Sequence, residues 1–215
     1  MTPPTRQLIA AATLALLAGS ASAQADTGSL AGWTVLGDVV VQTGAIVLTT
    51  AYAESGDPDQ PFNLSGNSAA DITLVEAAAG LPTYALDLPE PEYGREGSLV
   101  AQSFTVAAGD TLRFNWSFST LEDQFQDHAF AVVDGQVYTL ATAGTPGLAT
   151  QAFAYSFASA GTATLALGVI DTGDFLGVST LSVSSLTVTA VPEPATLALW
   201  LAGLGVVSAV ARRRR

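Results

Sequence analysis

The chain of 215 residues contains no cysteine, no lysine and a single histidine. Without cysteine there is no disulfide framework, no thiolate metal site and no cysteine nucleophile. One imidazole, His128, cannot build a histidine-based zinc centre, and no G-x-S-x-G elbow accompanies it for nucleophilic catalysis. Basic charge is almost missing as well. Between residues 26 and 190 only Arg95 and Arg113 stand against all but one of the 19 acidic residues. A phosphate backbone is bound through many Lys or Arg contacts, so nucleic acid is excluded as a partner. Adhesion of this middle region to an anionic lipid surface is excluded on the same ground.

The termini differ in character from the middle. Residues 1–23 carry Arg6, then an apolar run from Leu8 to Ala18 and a stretch of small residues. That order is the plan of a secretory signal peptide, with Ala21 and Ala23 in the positions read by the cleavage enzyme. At the other end, residues 191–215 hold Pro192, Glu193 and Pro194, then Ala195 to Ala211 without a charge, then Arg212, Arg213, Arg214 and Arg215. Seventeen helical residues rise roughly 25 Å, the short limit for a membrane crossing. A transmembrane helix is expected there, with the arginines cytoplasmic and residues 24–190 exported.

The Pro-Glu-Pro tripeptide, apolar span and closing arginine cluster together resemble the PEP-CTERM sorting signal of exported Gram-negative bacterial proteins. The resemblance implies recognition and processing by an exosortase, a membrane-embedded cysteine protease. It implies a route through the inner membrane to the cell surface or the extracellular space, and an association with exopolysaccharide and biofilm. It assigns no activity to residues 24–190.

That middle domain reads as strand. Leu112, Phe114, Trp116 and Phe118 alternate with Arg113, Asn115, Ser117 and Ser119, the period of a strand with one buried face. Phe153, Tyr155 and Phe157 alternate likewise. Asp134-Gly135 lies between Ala129–Val133 and Gln136–Ala141, a two-residue hairpin signal. Further strands are expected at Val39–Gln42, Ala45–Thr50, Ser98–Val106, 162–170 and Leu181–Thr189, the last with a bulge at Ser184-Ser185. Asp71 is placed to cap one short helix carrying Ile72, Val75 and Ala79 and ending at Gly80. Residues 53–68 and 87–97 read as loops. The expected fold is all-β, an antiparallel β-sandwich of jelly-roll type with one short helix.

Chemistry is sparse in this reading. His128 is expected to be a half-exposed structural residue. Glu90, Glu92 and Glu96 around Tyr93, and Glu122, Asp123 and Asp127 around Phe125, are the carboxylate pairs a glycoside hydrolase could use. Both sets read as solvated loops, so no catalytic residue is assigned and the chain is expected not to be an enzyme. A secreted polysaccharide hydrolase is the alternative. Calcium suits oxygen-rich loops better, with Asp171 and Asp174 as first candidates and Asp57, Asp59 and Asn63 as a second loop. Trp33, Tyr52, Tyr93 and Phe125 are the aromatics available for stacking on sugar rings. The sequence thus points to a non-catalytic surface or matrix protein, structural or adhesive, associated with extracellular polysaccharide. A surface protein with no ligand is the third possibility.

Overall fold

Residues of alternating polarity satisfy their backbone only by pairing, and their apolar faces only by stacking one sheet on another. The computed structural model describes residues 28–89, 93–144, 150–190 and 194–213. Ala21, Ala23, Glu90, Glu92, Pro192, Glu193, Arg214 and Arg215 lie outside the described residues.

Eleven strands run in order: β1 (Thr34–Leu36), β2 (Asp38–Gln42), β3 (Ala45–Thr49), β4 (Ala70–Asp71), β5 (Gly94–Val106), β6 (Thr111–Thr120), β7 (His128–Val133), β8 (Gln136–Thr142), β9 (Gln151–Ser156), β10 (Gly161–Thr172) and β11 (Ser179–Thr189). Helix α1 (Ile72–Ala78) follows β4, and α2 (Pro194–Arg213) closes the described chain. One sheet has the order β1-β5-β10-β7-β8, with β4 added to β5; the other has the order β2-β3-β11-β6-β9. Every pairing is antiparallel. The chain passes from one sheet to the other at β1–β2, β3–β4, β5–β6, β6–β7, β8–β9, β9–β10 and β10–β11, giving an antiparallel β-sandwich of jelly-roll type.

Between the sheets lie Val100, Leu165, Leu167 and Val169 from one side and Leu112, Phe114, Trp116, Leu181 and Val183 from the other. Phe114 stacks on Phe153 with ring centroids 4.7 Å apart. Tyr138 of β8 meets Phe153 and Tyr155 of β9 edge-on at 5.4 and 6.2 Å, so aromatics close the sandwich where its two edge strands approach. The first sheet is buried on its outer face too. There Val75 of α1 and Leu86 pack on Leu99, Phe130, Val132, Ala166 and Ile170.

Local chemistry accounts for the turns. Asp134 and Gly135 both have positive φ (51° and 77°), as a primed hairpin turn requires. Asp71 caps α1 by accepting from the Thr73 N–H at 2.8 Å. The bulge in β11 is real: the register against β6 shifts between Ser184 and Thr187, and Ser185 has φ 55°. It moves the buried set from Leu181 and Val183 to Leu186 and Val188.

Two expectations need correction. Residues 94–97 are strand rather than loop, because β5 extends back to pair with both β4 and β10. The C-terminal segment forms the expected helix, α2, but the expected crossing is not supported. Among the described residues no helix is long and apolar enough to cross a membrane. The charge-free run is at the short limit, and α2 ends on Arg212 and Arg213.

Phe114→Ala removes a fully buried ring from the centre of β6 and its stack with Phe153. A loss of about 3–5 kcal/mol in urea unfolding is expected; a change below about 1 kcal/mol would contradict this core.

Candidate functional site

At one end of the sandwich the inter-sheet core gives way to acid. On the inner face of the first sheet, β5 contributes Val100 and Ser98, β10 contributes Leu167 and Val169, and β7 contributes Ala131 and Ala129. One further step of the same alternation reaches Glu96, Asp171 and Asp127. Asp171 is the direct cross-strand partner of Glu96. The Thr172 N–H donates to Asp127 Oδ1 at 3.0 Å, fixing Asp127 beside them. All three are buried, at 1 %, 1 % and 0 % exposure.

Like charges directly opposite each other across a ladder repel, and burial penalises each charge further. Burial pushes the Glu96 carboxyl up to about 8, with the Asp57, Asp59 and Asp127 charges adding to it. Burial likewise raises Asp171 to about 10, with Asp127 and Glu96 next in effect. Asp127 rises less, to about 7, because the Thr172 N–H and the Ser179 hydroxyl stabilise its charged form. Ser179 donates to Asp127 Oδ2 at 2.7 Å. Asp59 is raised by its burial and by the charges of Asp57 and Asp174.

The structure therefore joins the two loops singled out as calcium candidates at one acidic end, but redistributes their roles. Asn63 is not available as a ligand: its amide donates to the carbonyls of Ala51 and Asn67 at 3.0 and 2.6 Å, and its Oδ1 accepts from Gly66. Asp57 and Asp174 each accept from a backbone N–H two residues on, those of Asp59 and Leu176. Asp174 is half-buried beside the fully buried Asp171. Glu96 and Asp127, both expected in solvated loops, are buried instead, and Glu96 lies on β5. Extending the alternation of β5 back from Ser98 would have set it inside the sandwich. Among the described residues no group of three or more His, Cys, Asp or Glu side chains stands ready-made as a metal centre.

Above this acidic end lies a groove. Two adjoining clefts of about 230 and 240 Å³ share Ile72, Gly94 and Arg95. Tyr84, Tyr93 and Asp87 line the first; Tyr52, Asp71, Glu96 and Phe175 line the second. Tyr84, Phe175 and Tyr93 are exposed. Arg95 is held by its Nε–H, which donates to the Gly173 carbonyl at 2.9 Å. Glu76, buried under α1, accepts from the Tyr84 and Leu86 N–H groups at 3.0 and 3.1 Å and so fixes the segment that presents Tyr84. A larger recess of about 580 Å³ on the outer face of the first sheet is lined by Gly, Ala, Thr, Ser, Gln and Leu and offers no comparable chemistry.

Of the four aromatics proposed for sugar stacking, the groove collects Tyr52 and Tyr93. Trp33 is excluded, because it is buried in the inter-sheet core. Phe125 lies elsewhere: its ring packs on Gly173, where a Cβ has no room, and lines a separate recess with Glu122, Asp123 and Thr142. Tyr84 and Phe175 were not singled out, since isolated aromatics in loops give no periodic signal. His128 is fully buried rather than half-exposed, and burial lowers its pKa to about 4.

Comparison with known proteins matches residues 190–215 to the PEP-CTERM protein-sorting motif. The motif marks an exported protein sorted by an exosortase. No curated protein matches the chain. A solved chain described as "CBM4 structure and function" is 12 % identical, with a TM-score of 0.36 over 74 % of this chain and 95 % of its own.

A carboxyl whose folded pKa is raised contributes full stability below its ordinary pKa and loses it as the pH rises through the shifted value. For Glu96 that window runs from 4.5 to about 8. With EDTA present, the melting temperature is expected to fall as the pH rises across this window, and Glu96→Gln to flatten the fall. His128 acts in the opposite sense, removing stability as the pH drops from 6.5 to about 4. An identical slope in the Glu96→Gln protein would refute the assignment to Glu96.

Proposed function

We propose that this chain is an exported, exosortase-sorted, non-catalytic β-sandwich that binds extracellular polysaccharide through the groove around Arg95, as a component of the cell surface or biofilm matrix. The observation that carries this reading is the convergence of Tyr52, Tyr84, Tyr93 and Phe175 on one open groove. Sugar rings stack on aromatic faces while their hydroxyls bond to a few fixed polar groups. Arg95, Asp71 and Asp87 supply such groups along the same groove. Soluble proteins seldom expose large aromatics together without a binding role, and an exported protein meets polysaccharide as its nearest abundant ligand.

The hydrolase alternative draws on Glu96, a carboxyl with a raised pKa beside a cleft, as a general acid is. Against it stands accessibility. Glu96 is 1 % exposed, whereas a general acid must reach the glycosidic oxygen it protonates. The non-catalytic reading is therefore preferred.

Binding of the full chain to its host's exopolysaccharide, measured by calorimetry, is expected to be saturable. Tyr84→Ala and Tyr93→Ala are each expected to weaken it about tenfold, the equivalent of one lost stacking contact. Unchanged affinity in both variants would remove the groove from the account. Product release from the polysaccharide by wild type, abolished in Glu96→Gln, would establish the hydrolase instead. For the sorting route, replacing Pro192, Glu193 and Pro194 with alanine is expected to abolish processing and surface delivery in the host. Normal delivery of that variant would refute the exosortase step.

A further inference from the structure

We infer that a hard divalent cation of the calcium type binds at the acidic end of the inter-sheet core, ligated by Glu96 and Asp171 with Asp127 beside them. The inference rests on how differently the buried carboxylates of this chain are treated. Asp38, fully buried, accepts from the Leu64 and Ser65 N–H groups at 3.0 and 2.7 Å and from the Thr49 hydroxyl. Glu76 accepts from two backbone N–H groups, and Asp127 from one N–H and one hydroxyl. The fold thus supplies donors to carboxylates it buries as structural pins. Glu96 has no such supply: neither of its oxygens has a hydrogen-bond partner, and neither does Asp171 Oδ1. The Tyr52 hydroxyl lies against Glu96 and partly offsets its burial, but it does not meet the geometry of a hydrogen bond to either oxygen.

An unpaired buried polar oxygen costs its full desolvation, about 1–3 kcal/mol, which is why such atoms are rare unless something absent from the protein pairs with them. Here the bare oxygens belong to two acids set face to face by the register of β5 against β10. Among the described residues the one cation nearby, Arg95, is turned away and spent on the Gly173 carbonyl. Glu96 lines the groove, so an ion has a path from solvent to the bare oxygens. The donor set is all oxygen, without sulfur or imidazole, which selects calcium or magnesium over zinc. Calcium, with its flexible geometry and six to eight ligands, tolerates carboxylates that stand in a row and rotate inward to meet it; magnesium demands a near-ideal octahedron. Asp59 and Asp174, raising the local negative potential, add attraction without contact.

The inference is independent of the polysaccharide reading, since it is tested with the metal alone. Full-length protein is stripped with EDTA and titrated with calcium chloride by calorimetry, and its melting temperature is followed in parallel. The expected result is one saturable event with a dissociation constant on the order of 10⁻⁴ M, the range of extracellular calcium modules. It comes with a rise in melting temperature of several degrees, roughly, that EDTA reverses. Glu96→Gln and Asp171→Asn, which keep side-chain shape, are each expected to weaken calcium binding at least about tenfold. Their metal-free melting temperatures above about pH 8 are expected to match or exceed that of wild type, because each removes an acid whose ionised form burial disfavours. Tyr52 against Glu96 gives a second readout on the wild type, sensitised luminescence of terbium displaced by calcium. No saturable calcium binding by wild type, or wild-type calcium affinity in both variants, would overturn the inference.

Discussion

The register of β5 against β10 governs both the core and the acidic end of this molecule. Pairing runs from Gly161 opposite Val106 to Thr172 opposite Gly94, through the centre of the first sheet. Because side chains alternate with period two, that alignment sets Leu167 and Val169 inward beside Val100 and Ser98. It also sets Asp171 against Glu96. A slip of one residue would carry the acids to the outer face and the apolar set with them. The core cannot form without bringing the two carboxylates together, so their mutual repulsion is enforced by hydrophobic burial elsewhere on the same two strands.

The segment from β4 to Leu86 ties this end to the groove. Val75 and Leu86 bury themselves on the outer face of the first sheet, and Glu76 beneath them holds the N–H groups of Tyr84 and Leu86. The same short insertion that covers the sheet therefore delivers an aromatic to the groove's wall. Arg95 lines both clefts on the strand that also carries Glu96, so one side chain of β5 meets solvent while its neighbour is buried at the edge of the second cleft.

Strand positions were legible where alternation was strict and turn residues punctuated it. Thr111–Thr120, the Asp134-Gly135 hairpin, the Asp71 cap and the Ser184-Ser185 bulge all appear as read. Residues 94–97 did not read as strand, because Gly94 and Gly97 dilute the pattern; close approach requires both, since a Cβ at Gly97 would strike the Val169 carbonyl. The site was half legible for the same reason. Acidic loops could be named from composition, but Glu96 was hidden by its glycine neighbours. Trp33 shows the converse limit: a lone aromatic outside an alternating run gives no sign of which way it faces, and here it turns into the core.

The placement of β11 has a mechanical consequence. It is the last strand before the C-terminal segment, and it is flanked on both sides, by β3 and β6. Its first residue, Ser179, bonds to Asp127 at the groove end, and Thr189 leaves at the other. A load applied between the groove end and the C-terminal segment runs along the strand axes. Two hydrogen-bonded ladders then resist sliding together, where a strand at the sheet edge would peel one bond at a time.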